Sequence, residues 1–187
     1  MSKFTLLVVG LMLFASGVVG QDADQKVDSY VAVAIGTGGV AAGKSINFNV
    51  RITQYTGDDQ VQDLANLLKE KGQDSLRLAL EKLTVGRVYP VGSVGNDIAV
   101  ARKKKVGADT IITVVTARIM PFVELSRSSR TKDYPFGFLQ LKLNDKGEGT
   151  GQIMVAARIR FDKKKGSYEI ESYGNQYVKA INVRPSK

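Results

Sequence analysis

The residues able to do chemistry in this chain are carboxylates, arginines, lysines, tyrosines and serines, because its 187 residues include no cysteine, no histidine and no tryptophan. Those absences exclude a thiolate nucleophile, a Ser-His-Asp triad, a disulfide framework and a zinc site built from His or Cys. A hydrolase would have to use paired carboxylates, and the acids expected near turns or strand ends are Asp97, Glu124 and Asp133. Glycoside cleavage requires two such groups about 5–10 Å apart, and no spacing among these three imposes that. Calcium loops are excluded, since Asp22-Ala-Asp and Asp58-Asp59 lack the twelve-residue pattern and its distal glutamate.

Cations carry more information. Lys and Arg total 27 against 18 acids, a net charge of +9. They cluster in the triplets Lys103–Lys105 and Lys163–Lys165 and in the segment Arg127-Ser-Ser-Arg130-Thr-Lys132, preceded by Arg118. The lysine triplets suit solvated turns that also guard strand edges. Guanidinium forks match phosphate and carboxylate geometry, so Arg118, Arg127, Arg130 and Lys132 form the candidate anion-binding set. An envelope glycan or lipid headgroup is the expected partner class. Aromatics do not interleave with these cations as base-stacking platforms would, which argues against nucleic acid. Tyr134-Pro135-Phe136 stands beside the arginine segment and brings a mixed polar and aromatic pocket into consideration there.

One motif misleads. Gly38-Gly39-Val40-Ala41-Ala42-Gly43-Lys44-Ser45 matches the phosphate-loop pattern G-x-x-x-x-G-K-S, in which backbone N–H groups cradle phosphates and the serine holds magnesium. That loop must open a helix, whereas Ser45 opens the cleanest period-two stretch in the chain. The run 110–118 ends in Thr116, Ala117 and Arg118, without a metal-holding aspartate. We read 36–44 as a glycine-rich connection and expect no cofactor.

The elements that must position these residues follow from periodicity. Ile46, Phe48, Val50 and Ile52 alternate with polar residues, a half-buried strand, and 27–35 alternates less cleanly. Val61, Leu64, Ala65 and Leu68 then recur at helical spacing, behind Asp58 and Asp59 placed as caps, and Gly72 is set to end the stripe. A second stripe, Leu76, Ala79, Leu80 and Leu83, has Asp74 as its expected cap, so a helical hairpin is expected near 58–83. Strands are expected at 86–91, 97–104, 110–118, 122–127, 136–143, 152–162, 167–173 and 177–184. Loop lengths set two registers: Leu139 opposite Ile153 and Leu141 opposite Gly151 across one hairpin, and Asp162–Ser167, Arg160–Glu169, Ile159–Ile170 and Arg158–Glu171 across the next. The chain therefore reads as α+β, mostly antiparallel β, with sandwich and barrel both open and residues 21–187 in one domain.

Residues 1–20 read as a signal peptide. Lys3 supplies the basic start, the apolar run ends at Val19, and Gly20 offers a small residue for cleavage. The run is shorter than the ~20 residues a spanning helix needs, so an exported protein, periplasmic or extracellular, is expected. Phe48-Asn-Val-Arg-Ile, Leu78-Ala-Leu, Ala117-Arg118-Ile, Glu124, Arg130-Thr-Lys-Asp133-Tyr134-Pro135-Phe136 and Ile181-Asn-Val-Arg184 resemble a family of uncharacterised exported bacterial proteins. The resemblance is silent on function and carries no activity, cofactor or site residue to this chain. The functional expectation is thus an exported, non-enzymatic binding protein for an anionic component. The alternatives are a barrel carrying a small apolar ligand and a carboxylate hydrolase.

Overall fold

The computed structural model describes residues 27–37, 42–122, 132–174 and 178–186. The expected signal segment lies outside them, as do Glu124, Arg127, Arg130 and all of the expected strand 122–127 except Phe122, which is not in a strand. Among the described residues, ten strands form one antiparallel sheet. They are β1 (Asp28–Gly36), β2 (Ser45–Ile52), β3 (Gly86–Pro90), β4 (Asn96–Ile98), β5 (Val100–Val106), β6 (Asp109–Thr116), β7 (Phe136–Leu143), β8 (Gly149–Asp162), β9 (Ser167–Ser172) and β10 (Val178–Pro185). Their spatial order is β4-β3-β2-β1-β10-β8-β7-β6-β5, with β9 paired to β8.

The sheet nearly closes on itself because β4 and β5 are successive parts of one stretch of chain. Asn96–Ile98 pairs with β3, Val100–Val106 pairs with β6, and Ala99 between them donates its N–H to the Val115 carbonyl at 2.9 Å. Ile98 and Ala101 belong to the inner core, whereas Ala99 and Val100 face the outer one. Two successive outward residues break the alternation of a strand, as a bulge does. Among the described residues the result is a barrel-like sheet with one kinked helical element against its outside.

Inside, alternate residues of nine strands meet: Phe48, Val50 and Ile52 of β2, Ile112 and Val114 of β6, Leu139, Leu141 and Leu143 of β7, and Ile153 and Val155 of β8, among others. Each such side chain taken fully out of water contributes about 1.5–3 kcal/mol. Both hairpin registers expected from loop length are present, with Leu139 facing Ile153 and Leu141 facing Gly151. Arg158, Ile159, Arg160 and Asp162 face Glu171, Ile170, Glu169 and Ser167.

The two helical stripes are two helical stretches that meet at a kink within one span, α1 (Asp58–Leu80). It is broken at Gly72, whose φ of +80 falls where only glycine is comfortable. Asp58 and Asp59 are not caps: the N-cap is Gly57, with no side-chain capping bond, and the two acids stand in the first turn, where they favour the dipole. Leu68, Leu76 and Leu80 pack on Phe136, Met154 and Ala157, a second core on the outer face of the sheet. Gln73, next to the break, ties the helix down: its Nε2 donates to the Asp133 carbonyl at 3.1 Å and its Oε1 accepts the Ile159 N–H at 3.3 Å. Beyond Ala157 the β8–β9 hairpin runs on as an arm past the start of β7, and Tyr168 anchors it to the helix through a bond from its hydroxyl to the Ala65 carbonyl. Among the described residues no helix is long and apolar enough to cross a membrane.

Candidate functional site

The connection from β6 to β7 begins by sealing one end of the barrel. The Thr116 hydroxyl donates to the Arg118 carbonyl and turns the chain, the Asn96 side-chain amide donates to the Ile119 carbonyl at 2.5 Å, and the Met120 N–H donates to the Val155 carbonyl at 2.7 Å. Met120 and Phe122 are thereby buried in the barrel, and the Phe122 ring meets Phe48 edge-on at 5.0 Å between centroids. Gly137 is required beside this turn: a Cβ there would come within 2.4 Å of Thr116 Oγ1 and 2.6 Å of Met120 Cγ.

Arg118 is exposed on the outside of this turn, and Lys132 is exposed where the connection returns to β7. Since Thr116 pairs with Gly137 across the two strands, both cations stand at the same end of the sheet, at the two feet of one connection. Among the described residues no acid pairs with either. Arg127 and Arg130 belong to the same connection but lie outside the described residues, so the four candidates are brought together by chain path for two of them and by position in the sheet for the other two.

The neighbouring turns share this end. Lys44, the lysine of the phosphate-loop motif, is exposed in the β1–β2 hairpin, where its carbonyl accepts the Gly36 N–H at 3.1 Å. Ser45 opens β2, paired with Ile35, so the motif's lysine and serine enter a strand and not a helix. The β3–β4 turn follows: Ser93 N–H donates to the Pro90 carbonyl at 3.0 Å, with Gly92 at φ +82 in the third position, where such a turn needs a positive φ.

Several other candidates are engaged in bonds within the fold. Asp97 faces Arg87 across the β3–β4 ladder and accepts from its Nε and Nη2 at 3.1 and 2.8 Å. The lysine triplets are partly used up. Lys103 reaches Asp28 at 2.9 Å, Lys105 reaches Asp145 at 2.6 Å, and Lys165 reaches Glu169 at 2.7 Å. Asp162 shapes the arm's tip by accepting the N–H groups of Lys164 and Lys165. The aromatic and polar neighbourhood of Tyr134 is occupied from within: the Arg158 guanidinium stands 5.0 Å from the Tyr134 ring centre and bonds Glu171 at 2.6 Å. Tyr134 donates to the other oxygen of Glu171 at 3.1 Å, and Tyr173 packs edge-on against Tyr134. The Arg158 bond holds the Glu171 carboxyl below its ordinary value, and the same bond raises Arg158. Desolvation, and then the bond to Glu171, raise Tyr134.

A second polar cluster has no signature in the sequence. Tyr55 donates to Asp28 at 2.6 Å, and Lys103 bonds the same carboxylate while standing 5.5 Å from the Tyr55 ring centre. The partners are 27 and 75 residues apart, beyond any local periodicity. Their geometry fastens the segment after β2 across the opposite end of the barrel. No family model, no curated protein and no solved structure matches the chain.

Proposed function

We propose that this barrel belongs to an exported binding protein that holds an anionic component of the cell envelope or its surroundings at the β6–β7 end. The observation that carries the reading is the pair Arg118 and Lys132, both exposed, both without an acidic partner among the described residues, at the feet of a connection whose sequence adds Arg127 and Arg130. Along 117–135 four cations stand against two acids, Glu124 and Asp133. Guanidinium groups offer paired donors to phosphate or carboxylate, and a cluster of them concentrates anions without a shaped pocket.

The test is co-sedimentation with isolated cell envelope, and retention on a soluble polyanion such as polyphosphate, across a salt series. Each phosphate-type contact adds somewhat under one unit to the log–log salt slope. Arg118→Ala/Lys132→Ala is expected to weaken binding about tenfold at low salt and lower the slope by about one to two. Binding that ignores both salt and this double variant overturns the reading.

A further inference from the structure

Five large hydrophobic side chains are exposed among the described residues, and the two most exposed share one tight turn: Val91 at 67% and Val94 at 77%. Scattered exposed valines need no explanation. These two are neither scattered nor free to retreat. Val91 N–H is held by the Asn47 carbonyl at 2.9 Å, and the Pro90–Ser93 turn closes at 3.0 Å. Gly95 has φ +69, and a Cβ there would lie 2.2 Å from the Val88 carbonyl oxygen, so the backbone is packed tightly beneath the tip. The turn presents two aliphatic side chains outward from a fixed frame.

The frame places them beside the unpaired cations. Asn96, two residues beyond Val94, bonds the Ile119 carbonyl at 2.5 Å, next to Arg118. On the other flank, β2 pairs with both β1 and β3, which brings the β1–β2 connection and its exposed Lys44 alongside the turn. The acid nearest the turn in sequence, Asp97, is neutralised by Arg87. Aliphatic tips ringed by uncompensated cations match one environment, the boundary between acyl chains and negatively charged headgroups. Protein interfaces favour aromatic and methionine anchors, and polyanions in solution have no use for valine.

We propose that the anionic partner is a lipid bilayer, with Val91 and Val94 entering it below the headgroups while Arg118, Lys132 and Lys44 hold the headgroups themselves. This rests on the reading of the β6–β7 end as an anion-binding surface and narrows it to one partner.

The chain contains no tryptophan, so a single introduced indole reports its own depth. Val94→Trp is mixed as the full chain with vesicles of phosphatidylcholine alone, with equimolar phosphatidylcholine and phosphatidylglycerol, and with polyphosphate. Val106→Trp is the control, since Val106 is exposed at the opposite end, where β5 closes onto β6. The expected result is a blue shift and quenching by brominated acyl chains for Val94→Trp on the anionic vesicles only, with Val106→Trp unchanged. Arg118→Ala/Lys132→Ala in the Val94→Trp background should weaken vesicle binding about 25-fold, at roughly fivefold per cation. Salt-sensitive binding to vesicles or polyphosphate without any shift at position 94 overturns the bilayer insertion and leaves the anion surface standing. Equal shifts at 94 and 106 overturn the orientation. Absence of binding to every probe at low salt overturns both proposals.

Discussion

The two ends of the barrel are closed by different chemistry. At the end where β1 starts and β5 finishes, closure is polar: Thr56 N–H donates to the Ala101 carbonyl at 2.8 Å, Ala101 N–H returns a bond to Thr56 Oγ1 at 3.0 Å, and Tyr55 and Lys103 converge on Asp28. Lys105–Asp145 and Lys142–Asp109 add ion pairs around the same rim. At the β6–β7 end, closure is apolar, with Met120 and Phe122 turned into the core. The difference teaches that one barrel can be closed by bonds at its rim or by packing within its mouth. Ion pairs and a tyrosine hydroxyl fasten the first end, where Arg51, Lys104, Lys146 and Arg184 still stand exposed without acids among the described residues. Buried Met120 and Phe122 seal the second beside Arg118, Lys132 and Lys44, which have no acids among the described residues either.

The contrast can be broken most forcefully by removing each seal. Phe122→Ala is expected to cost about 3–5 kcal/mol in urea unfolding, since the cavity opens within a packed core. Tyr55→Phe, which removes one bond to a carboxylate still held by Lys103, should cost about 1–2 kcal/mol. Equal costs would mean that the polar end is as cooperative with the core as the apolar one.

The polar end should also answer to alkali. Burial, helped by Asp28, pushes Tyr30 up to about 12 from 10.0. Burial and then the Asp28 bond push Tyr55 higher still. The unfolded chain therefore gives up these protons first, so their contribution is complete below pH 10 and lost as pH rises toward 12. Urea midpoints measured from pH 9 to 11.5 should fall, and fall less steeply in Tyr55→Phe. A flat profile in the unaltered chain removes Asp28 and its tyrosines as a strap.

Acid should sharpen the comparison from a third region, the arm. The carboxyls of Glu169 and Glu171 are held below their ordinary 4.5, first by the bonds from Lys165 and from Arg158 respectively. Lowered values mean that these contributions are present above pH 4.5 and fade as pH falls through the folded values. Amide exchange in β9 should quicken below pH 4 before that of β6 and β7. Simultaneous loss in all three strands would contradict it. The smallest effect is reserved for the rim: Lys105→Ala breaks a largely exposed pair and should change stability by less than about 0.5 kcal/mol, with polyanion retention unaltered.

Much of this was written in local pattern. A loop of fixed length sets a register, and alternation says which face is apolar, so Arg160 opposite Glu169 and Leu139 opposite Ile153 are both legible in the residue pattern. What periodicity cannot carry is a change of partner along one strand. The run 97–104 reads as continuous, yet it leaves β3 for β6 at Ala99, and that one step turns an open sheet into a nearly closed one. The helical break was marked by Gly72, but alternating stripes do not reveal that both halves lie on one outer core. At the candidate site, Arg118 and Lys132 were visible as residue types, and their shared end follows from β6 and β7 pairing. Val91 and Val94 were hidden because the break between the expected strands 86–91 and 97–104 says where the chain reverses and nothing of what its tip presents.

The seam between β1 and β10 has a kinetic meaning. It pairs residue 36 with residue 178, so the first strand of the barrel finds its second neighbour only when the last strand exists. Contacts this distant in the chain are slow to form, because most of the polypeptide must be ordered before they return any stability. During synthesis the earlier strands wait with β1 unpaired along one edge, and a chain truncated before Val178 would carry that bare edge permanently, open to pairing with another copy of itself.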